Sequence, residues 1–330
     1  MIRRHRERGA ALLLAMLTVT IVATLAAAAA WQQWRAIEIE MADRQRSQSA
    51  WILTGALDWS RLILREDARG NRNSGNGDHL GEPWAMPLEE SRLSSFLSVD
   101  RDNNADDVME AFLSGRMTDL QGKLNFRNLL AGPGAGADAQ ASISQPDLAD
   151  FRRLYGDLGL NTEELESAAQ RLLETHRRGE DELEPSDTPL MPVRYAQLGW
   201  LGISPRSLRV LAPHATWLPT RTRVNLNTAS EQVLAATLPG VEPGLARQLA
   251  AQRELTPFAK LDDVRRWLPA GLDKVVDEAR HDVRSQHFEV HGRLRLGTAV
   301  IDEQSLVSRS GLQVRLHWRR RATGQDAAPR

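Results

Sequence analysis

The sequence predicts an α+β protein held on one membrane-spanning helix, with a mostly helical domain inserted between two sets of strands. A basic amino terminus precedes one long uncharged stretch, and helix-face apolar spacing continues well beyond it. Strand-like segments occur both before and after a block patterned as helices, an order that an insertion explains better than two consecutive domains. The bulk composition of the 330 residues, 42% hydrophobic and 26% charged, is ordinary for a globular protein and excludes both wholesale disorder and a polytopic membrane protein. Lys+Arg 42 against Asp+Glu 43 leaves a net charge of -1, so any basic patch for nucleic acid must be local. With Cys 0 there is no disulfide, thiolate nucleophile or cysteine-ligated zinc.

Arg3, Arg4, Arg6 and Arg8 stand against a single Glu7, and Ala10 to Ala30 is then free of charge. At 1.5 Å rise per residue this segment is roughly 31 Å long, the thickness of a hydrocarbon core. The basic cluster predicts that residues 1–9 stay cytoplasmic and that the chain after Trp31 is exported. Ala26, Ala28 and Ala30 offer the small-residue sites of a cleaved secretory signal. Against that alternative, no Gly or Pro interrupts Ala10 to Thr54, and Ile37, Met41, Leu53, Leu57 and Leu64 recur at helix-face spacings. The helix is expected to run to about Arg65.

Asp67 to Gly81, rich in Gly and Asn, reads as the loop that ends it. Gln121-Gly122 reads as a tight turn in a hairpin from Met117 to Phe126. Gly132, Pro133, Gly134 and Gly136 mark a linker. Beyond it, Leu148, Phe151, Leu154 and Leu158 form one amphipathic helix, and Leu165, Ala169, Leu172 and Leu173 another behind Asn161 and Thr162 as caps. Thr228 and Glu231 have capping-box spacing for a helix from Ala229 to Thr237, and further helices are expected near Pro243 and near Asp262 and Asp263. Phe288, Val290, Leu294 and Leu296 alternate, as do Leu312, Val314, Leu316 and Trp318, so the chain closes on strands.

No catalytic constellation emerges. His287 and His291 flank Glu289 in HFEVH, but the pattern is that of a strand and the Glu is displaced from a metalloprotease arrangement. Ser204 in GISPR lacks the second glycine of a nucleophile elbow and reads as a turn. Asp100, Asp102, Asn104 and Asp106 place oxygen side chains at alternate positions, as a calcium loop requires, although Ala105 and Ala111 break the EF-hand match. Leu238 to Arg253 is built like a helix-hairpin-helix. In DNA-binding versions the hairpin aims backbone N–H groups at a phosphate. Here Glu242 sits at that position and repels one, with Arg247 and Arg253 only partly offsetting it, so packing and no nucleic-acid contact is the expected role.

Several segments, in order, resemble the K-type minor pseudopilins of the type II secretion system. They are RERGAALLLAMLTVTIVATL at the amino terminus, EPWAMP (Glu82 to Pro87), MTDLQGKLNFRNL (Met117 to Leu129), RVNLNTASEQVLAATLPG (Arg223 to Gly240) and the closing LVSRSGLQVRLHWRR. The acidic segment around Asp100 departs from that pattern. The resemblance implies a non-enzymatic assembly protein of the inner membrane with a pseudopilin fold, a long helix on a small antiparallel sheet. It implies a prepilin leader over 1–9 cut by prepilin peptidase between Gly9 and Ala10, and a transmembrane helix over 10–30. A pseudopilin part over 31–130, an inserted helical domain over 131–282, returning strands over 283–321 and a tail over 322–330 complete the organisation. The implied partners are the I and J minor pseudopilins in a complex that starts and caps the periplasmic pseudopilus, with exported substrates as a further contact. Leu14, fifth after the cut, stands where most pilins have Glu, and marks a tip subunit. Calcium is the only cofactor suggested. The competing class is a membrane-anchored DNA receptor of the competence type.

Overall fold

The structure is a computed structural model that describes residues 7–93, 111–132, 141–178, 189–297 and 299–321. Helix α1, Glu7–Ser74, is 68 residues long, a rod of roughly 102 Å. Residues 10–44 are exposed on all sides. Its last third lies on a sheet, because Leu53, Leu57 and Leu64 share one helical face and bury against Leu113, Leu294, Phe288 and Val307. Each such leucine contributes about 1.5–3 kcal/mol by burial.

The helix passes its expected end near Arg65 and stops only at Ser74. The glycine- and asparagine-rich composition that marks a loop is overridden by tertiary contacts. Asp67 is bonded by Arg309, and Asn71 donates to Asp78 and Glu82. Gly75, at φ 75°, then adopts the left-handed conformation that ends the helix, its N–H bonded to the Asn71 carbonyl.

Five strands form the sheet: β1 (Leu88–Arg92), β2 (Ala111–Asp119), β9 (His287–Leu296), β10 (Ala299–Ser310) and β11 (Gln313–Arg321), in the order β1-β2-β9-β10-β11. All neighbours are antiparallel. The register Leu113↔Leu294 joins a strand before the helical block to one after it, so the sheet closes around the insertion. Strand β10 has no alternation to announce it, since Glu303, Gln304, Ser305 and Arg309 are all buried in it.

The hairpin expected over Met117 to Phe126 does not form. The Asp119 carboxylate accepts the Gln121 N–H at 2.8 Å and caps a 3-10 turn, Leu120–Gly122, that carries the chain out of the sheet. The next strand, β3 (Leu124–Asn125), pairs in parallel with β6 (Ala215–Thr216) of the helical domain. A Cβ on Gly122 would lie 2.8 Å from the Thr228 hydroxyl and 2.9 Å from its carbonyl oxygen, so glycine permits this close approach.

The helical domain contains α2 (Gln145–Asp157), α3 (Thr162–Arg178), α4 (Pro205–Leu211), α5 (Glu231–Thr237), α6 (Pro243–Leu255) and α7 (Leu261–Trp267). Two-stranded ladders close its edges: β4 (Leu130–Ala131) with β5 (Ser142–Ile143), and β7 (Val224–Asn225) with β8 (His281–Asp282). One continuous core takes in Phe126, Phe151, Leu172, Leu234 and Leu249. Asn161 caps α3 through the Glu163 N–H, as expected. The capping box at Thr228 and Glu231 is replaced: Ser230 caps α5 through the Val233 N–H, and the Thr228 hydroxyl is turned to Asp119.

Candidate functional site

Two features organise the molecule: the bare amino-terminal rod and a buried polar clasp where its far end, the sheet and the inserted domain meet. Among the described residues one helix is long and apolar enough to cross a membrane, its apolar window having mean hydropathy 2.4. Ala10 and Leu14 lie exposed on it, and Gly9 falls inside α1. Thr18, Thr20 and Thr24 turn their hydroxyls to carbonyls three residues back, which suits them to an apolar surround. Trp31 and Trp34 follow the span, their rings 5.3 Å apart, as an interfacial aromatic pair.

The clasp centres on Arg309 of β10, whose side chain is 6% exposed. It donates to Asp67 at 2.7 Å, to the Leu64 and Ser285 carbonyl oxygens at 3.2 and 3.1 Å, and to Asp78. The second Asp78 oxygen accepts the Ser285 N–H at 2.6 Å. Asp119, at the end of β2, accepts from the Ser285 hydroxyl, the Thr228 hydroxyl and Asn225. Glu82 accepts from Asn71 at 2.7 Å, the His79 N–H at 3.0 Å and the Trp84 indole at 2.6 Å, and Trp84 packs edge-on against Phe288.

Four carboxylates around one guanidinium would be costly to bury fully ionised. Desolvation pushes Asp67 up to about 7, opposed by its bond to Arg309, and raises Glu82 and Asp119 above the usual carboxylate range. Burial thus favours the neutral form of these three carboxyls. Asp67, Asp78 and Glu82 bring carboxylate oxygens within 4.8 Å of one another, a spacing that could hold a cation, and Arg309 supplies positive charge to two of them. The bonds of the clasp run between chain segments distant in sequence. Its chemistry is that of a joint.

The other predicted residues are not gathered there. Asp100, Asp102, Asn104 and Asp106 lie outside the described residues. His287 and His291 sit on strand β9; burial pushes His287 down to about 4, and its ring stacks on His317 at 6.0 Å. Ser204 caps α4 and is a turn, as expected. Glu242 is exposed at the start of α6. Arg247 pairs with Glu231 at 3.3 Å. Arg253 is buried and donates to the Leu226 carbonyl oxygen at 2.6 Å, so the hairpin uses its arginine for packing. Sequence reasoning missed Asp78, Asp119, Asn225, Ser285 and Arg309 as a unit. A usable signal was polar residues inside apolar segments, such as Arg309 in LVSRS.

A long amino-terminal helix, membrane-spanning in its first part and laid on an antiparallel sheet in its last, defines a membrane-anchored, pilin-like subunit. The sequence model of type II secretion system protein K matches residues 224–284. Type II secretion system protein K of Pseudomonas aeruginosa is 27% identical over 346 aligned positions, covering 99% of this chain and 96% of the relative. The protein of that name from Pectobacterium carotovorum is 24% identical, covering 95% and 96%. The solved GspK-GspI-GspJ complex from enterotoxigenic Escherichia coli contains a chain of the same fold, with TM-score 0.60, 16% identity, and 86% of this chain and 99% of that one covered. Over nearly its whole length the chain is similar to the K-type proteins of the type II secretion system.

Proposed function

We propose that the protein sits at the tip of the periplasmic pseudopilus, which it starts and caps as an assembly component without catalytic activity. The carrying observation is where the inserted domain is fastened. The clasp lies near the end of α1 farthest from the membrane, with Asp67 and Asn71 roughly 56–62 Å beyond Ala30 at the helical rise. A bulky domain fixed there occupies the space in which a stacked subunit would continue a filament. Leu14 supports the same reading. A carboxylate in an apolar helix is useful only when a subunit above supplies an amine to neutralise it, and a tip subunit has none above.

Residues 1–9 remain cytoplasmic in this reading, and prepilin peptidase cuts between Gly9 and Ala10. The solved relative's complex with GspI and GspJ supports I- and J-type pseudopilins as the partners. Immunogold labelling of sheared pseudopili tests the position: label confined to one end supports the tip, and label along the shaft refutes it.

A further inference from the structure

Asn76-Gly77 is the only Asn-Gly pair in the sequence, and it stands in the loop between α1 and Asp78 of the clasp. Packing accounts for the glycine. A Cβ on Gly77 would lie 2.4 Å from the Val283 carbonyl oxygen and 3.0 Å from that of Phe258, and the next N–H, of Asp78, is bonded to the same Val283 oxygen at 2.8 Å. Nothing in the packing accounts for the asparagine. It is exposed, its N–H reaches the Ser74 hydroxyl at 3.4 Å, and its side chain makes no hydrogen bond among the described residues.

The pair sets an unbonded side-chain amide next to an unbonded backbone nitrogen. The Gly77 N–H makes no hydrogen bond among the described residues, and glycine has no side chain to shield that nitrogen or to restrict its dihedral angles. Attack of the Gly77 nitrogen on the Asn76 Cγ forms an N–C bond and closes a cyclic imide. The Cγ–Nδ2 bond breaks, and the amide nitrogen leaves as ammonia with the proton that Gly77 gives up. Water then opens the imide. Opening at the side-chain carbonyl yields aspartate; opening at the main-chain carbonyl yields isoaspartate, whose backbone runs through Cβ and is one carbon longer. Water is the only co-reactant, and nothing is oxidised or reduced. Two other asparagines lack this arrangement: Asn73-Ser74 lies inside α1, where the helix engages the backbone N–H groups, and the Asn161 side chain is held by the Glu163 N–H at 2.9 Å.

We propose that Asn76 deamidates spontaneously in the folded protein and that the isoaspartate form loosens the clasp. Asp78, two residues on and 2% exposed, accepts the Ser285 N–H at 2.6 Å and pairs with Arg309. An extra backbone carbon before Gly77 cannot be absorbed at Gly77 itself, which is wedged against Val283 and Phe258, so the displacement passes to Asp78. The new carboxylate also stands beside a site where Asp67, Asp78 and Glu82 already bring oxygens within 4.8 Å of one another, and further like charge there is unfavourable. Modification at one exposed side chain thus weakens the hold on the inserted domain.

The test ages the detergent-solubilised full chain at about pH 8 and 37 °C, maps its peptides by mass spectrometry for the gain of about 1 Da, and counts isoaspartate with an isoaspartyl methyltransferase. The expected result is conversion at Asn76 at least tenfold faster than at Asn73 or Asn161, with isoaspartate among the products. The aged chain should unfold about 2–8 °C lower than the fresh one. Asn76→Ser should match the fresh wild type in unfolding temperature and lose both the mass gain at position 76 and the fall with age. Conversion at Asn76 no faster than at the other two asparagines overturns the site. Isoaspartate that accumulates there without lowering the unfolding temperature overturns its effect on the clasp, as does a fall with age that persists in Asn76→Ser.

Discussion

Replacing Arg309 with Met removes the one guanidinium of the clasp while nearly keeping its volume. The variant leaves Asp67 and Asp78 without their shared cation and removes the side-chain bonds to the Leu64 and Ser285 carbonyl oxygens. Breaking a buried ion pair from one side costs about 3–5 kcal/mol. At roughly 2–4 °C per kcal/mol for a protein of this size, the melting temperature of the detergent-solubilised full chain should fall by about 6–20 °C near neutral pH.

The pH dependence identifies the cause. Asp67 has a folded-state pKa of about 7 against an ordinary value of 3.8, so the folded state binds more protons between those values and its stability falls as pH rises through that window. Without the Arg309 guanidinium the Asp67 carboxyl is held still further above its ordinary value, so more of it is neutral at about pH 5.5 and the deficit there should be smaller than at neutral pH. Arg309→Lys, which keeps the charge without the fork, should fall between wild type and Arg309→Met. A deficit below about 1 kcal/mol at neutral pH, or one equal at both pH values, would refute the view that charge compensation holds this joint together.

Three further outcomes are expected from other parts of the structure. Gly122→Ala should cost about 1–3 kcal/mol in thermal unfolding, because its methyl meets the Thr228 backbone and hydroxyl; an unchanged melting temperature would contradict the close approach. The exported part should show no submicromolar duplex binding by fluorescence anisotropy at physiological salt. Arg253→Met should lower stability by about 1–3 kcal/mol without altering that result, since it strips a buried carbonyl of its donor; tight binding lost on that change would restore the DNA-receptor reading. Asp100, Asp102, Asn104 and Asp106 should bind calcium with Kd on the order of 10⁻⁵–10⁻³ M by calorimetry, lost on Asp102→Ala, and no heat in millimolar calcium would return the segment to a solvated turn.

The anchor, the inserted helices and the outer strands were legible because each repeats an apolar residue at the period of its own structure. Leu148, Phe151 and Leu154 declare α2, and Phe288, Val290 and Leu294 declare β9, without reference to anything distant. The clasp was not legible, since its residues have the local signatures of turns. Asn71, Asp78 and the glycines around them read as a loop, yet tertiary bonds to Glu82, Ser285 and Arg309 extend α1 to Ser74 and bury Asp78 just beyond it. Gln121-Gly122 read as a hairpin turn for the same reason. Its partner strand was assumed to be adjacent, while Gln121 in fact bonds the Arg223 carbonyl oxygen and the Gln286 N–H, far along the chain.

Both crossings between sheet and inserted domain pass through this clasp. The outward one leaves β2 at Asp119 and turns over Gly122, and the return runs through Val283 and Ser285 into β9. Domains joined by two strands of chain are expected to move unless their interface is large or strongly specified. Here any swing of the inserted domain would pull Ser285 and Asn225 from Asp119, and Ser285 from Asp78, exposing the Asp119 carboxylate, whose raised pKa marks its desolvation. The joint also takes in Asp67 and Asn71 of α1 itself, so the domain is fastened to the anchor helix and not merely to the sheet. A force applied to the inserted domain is thus carried by α1 directly.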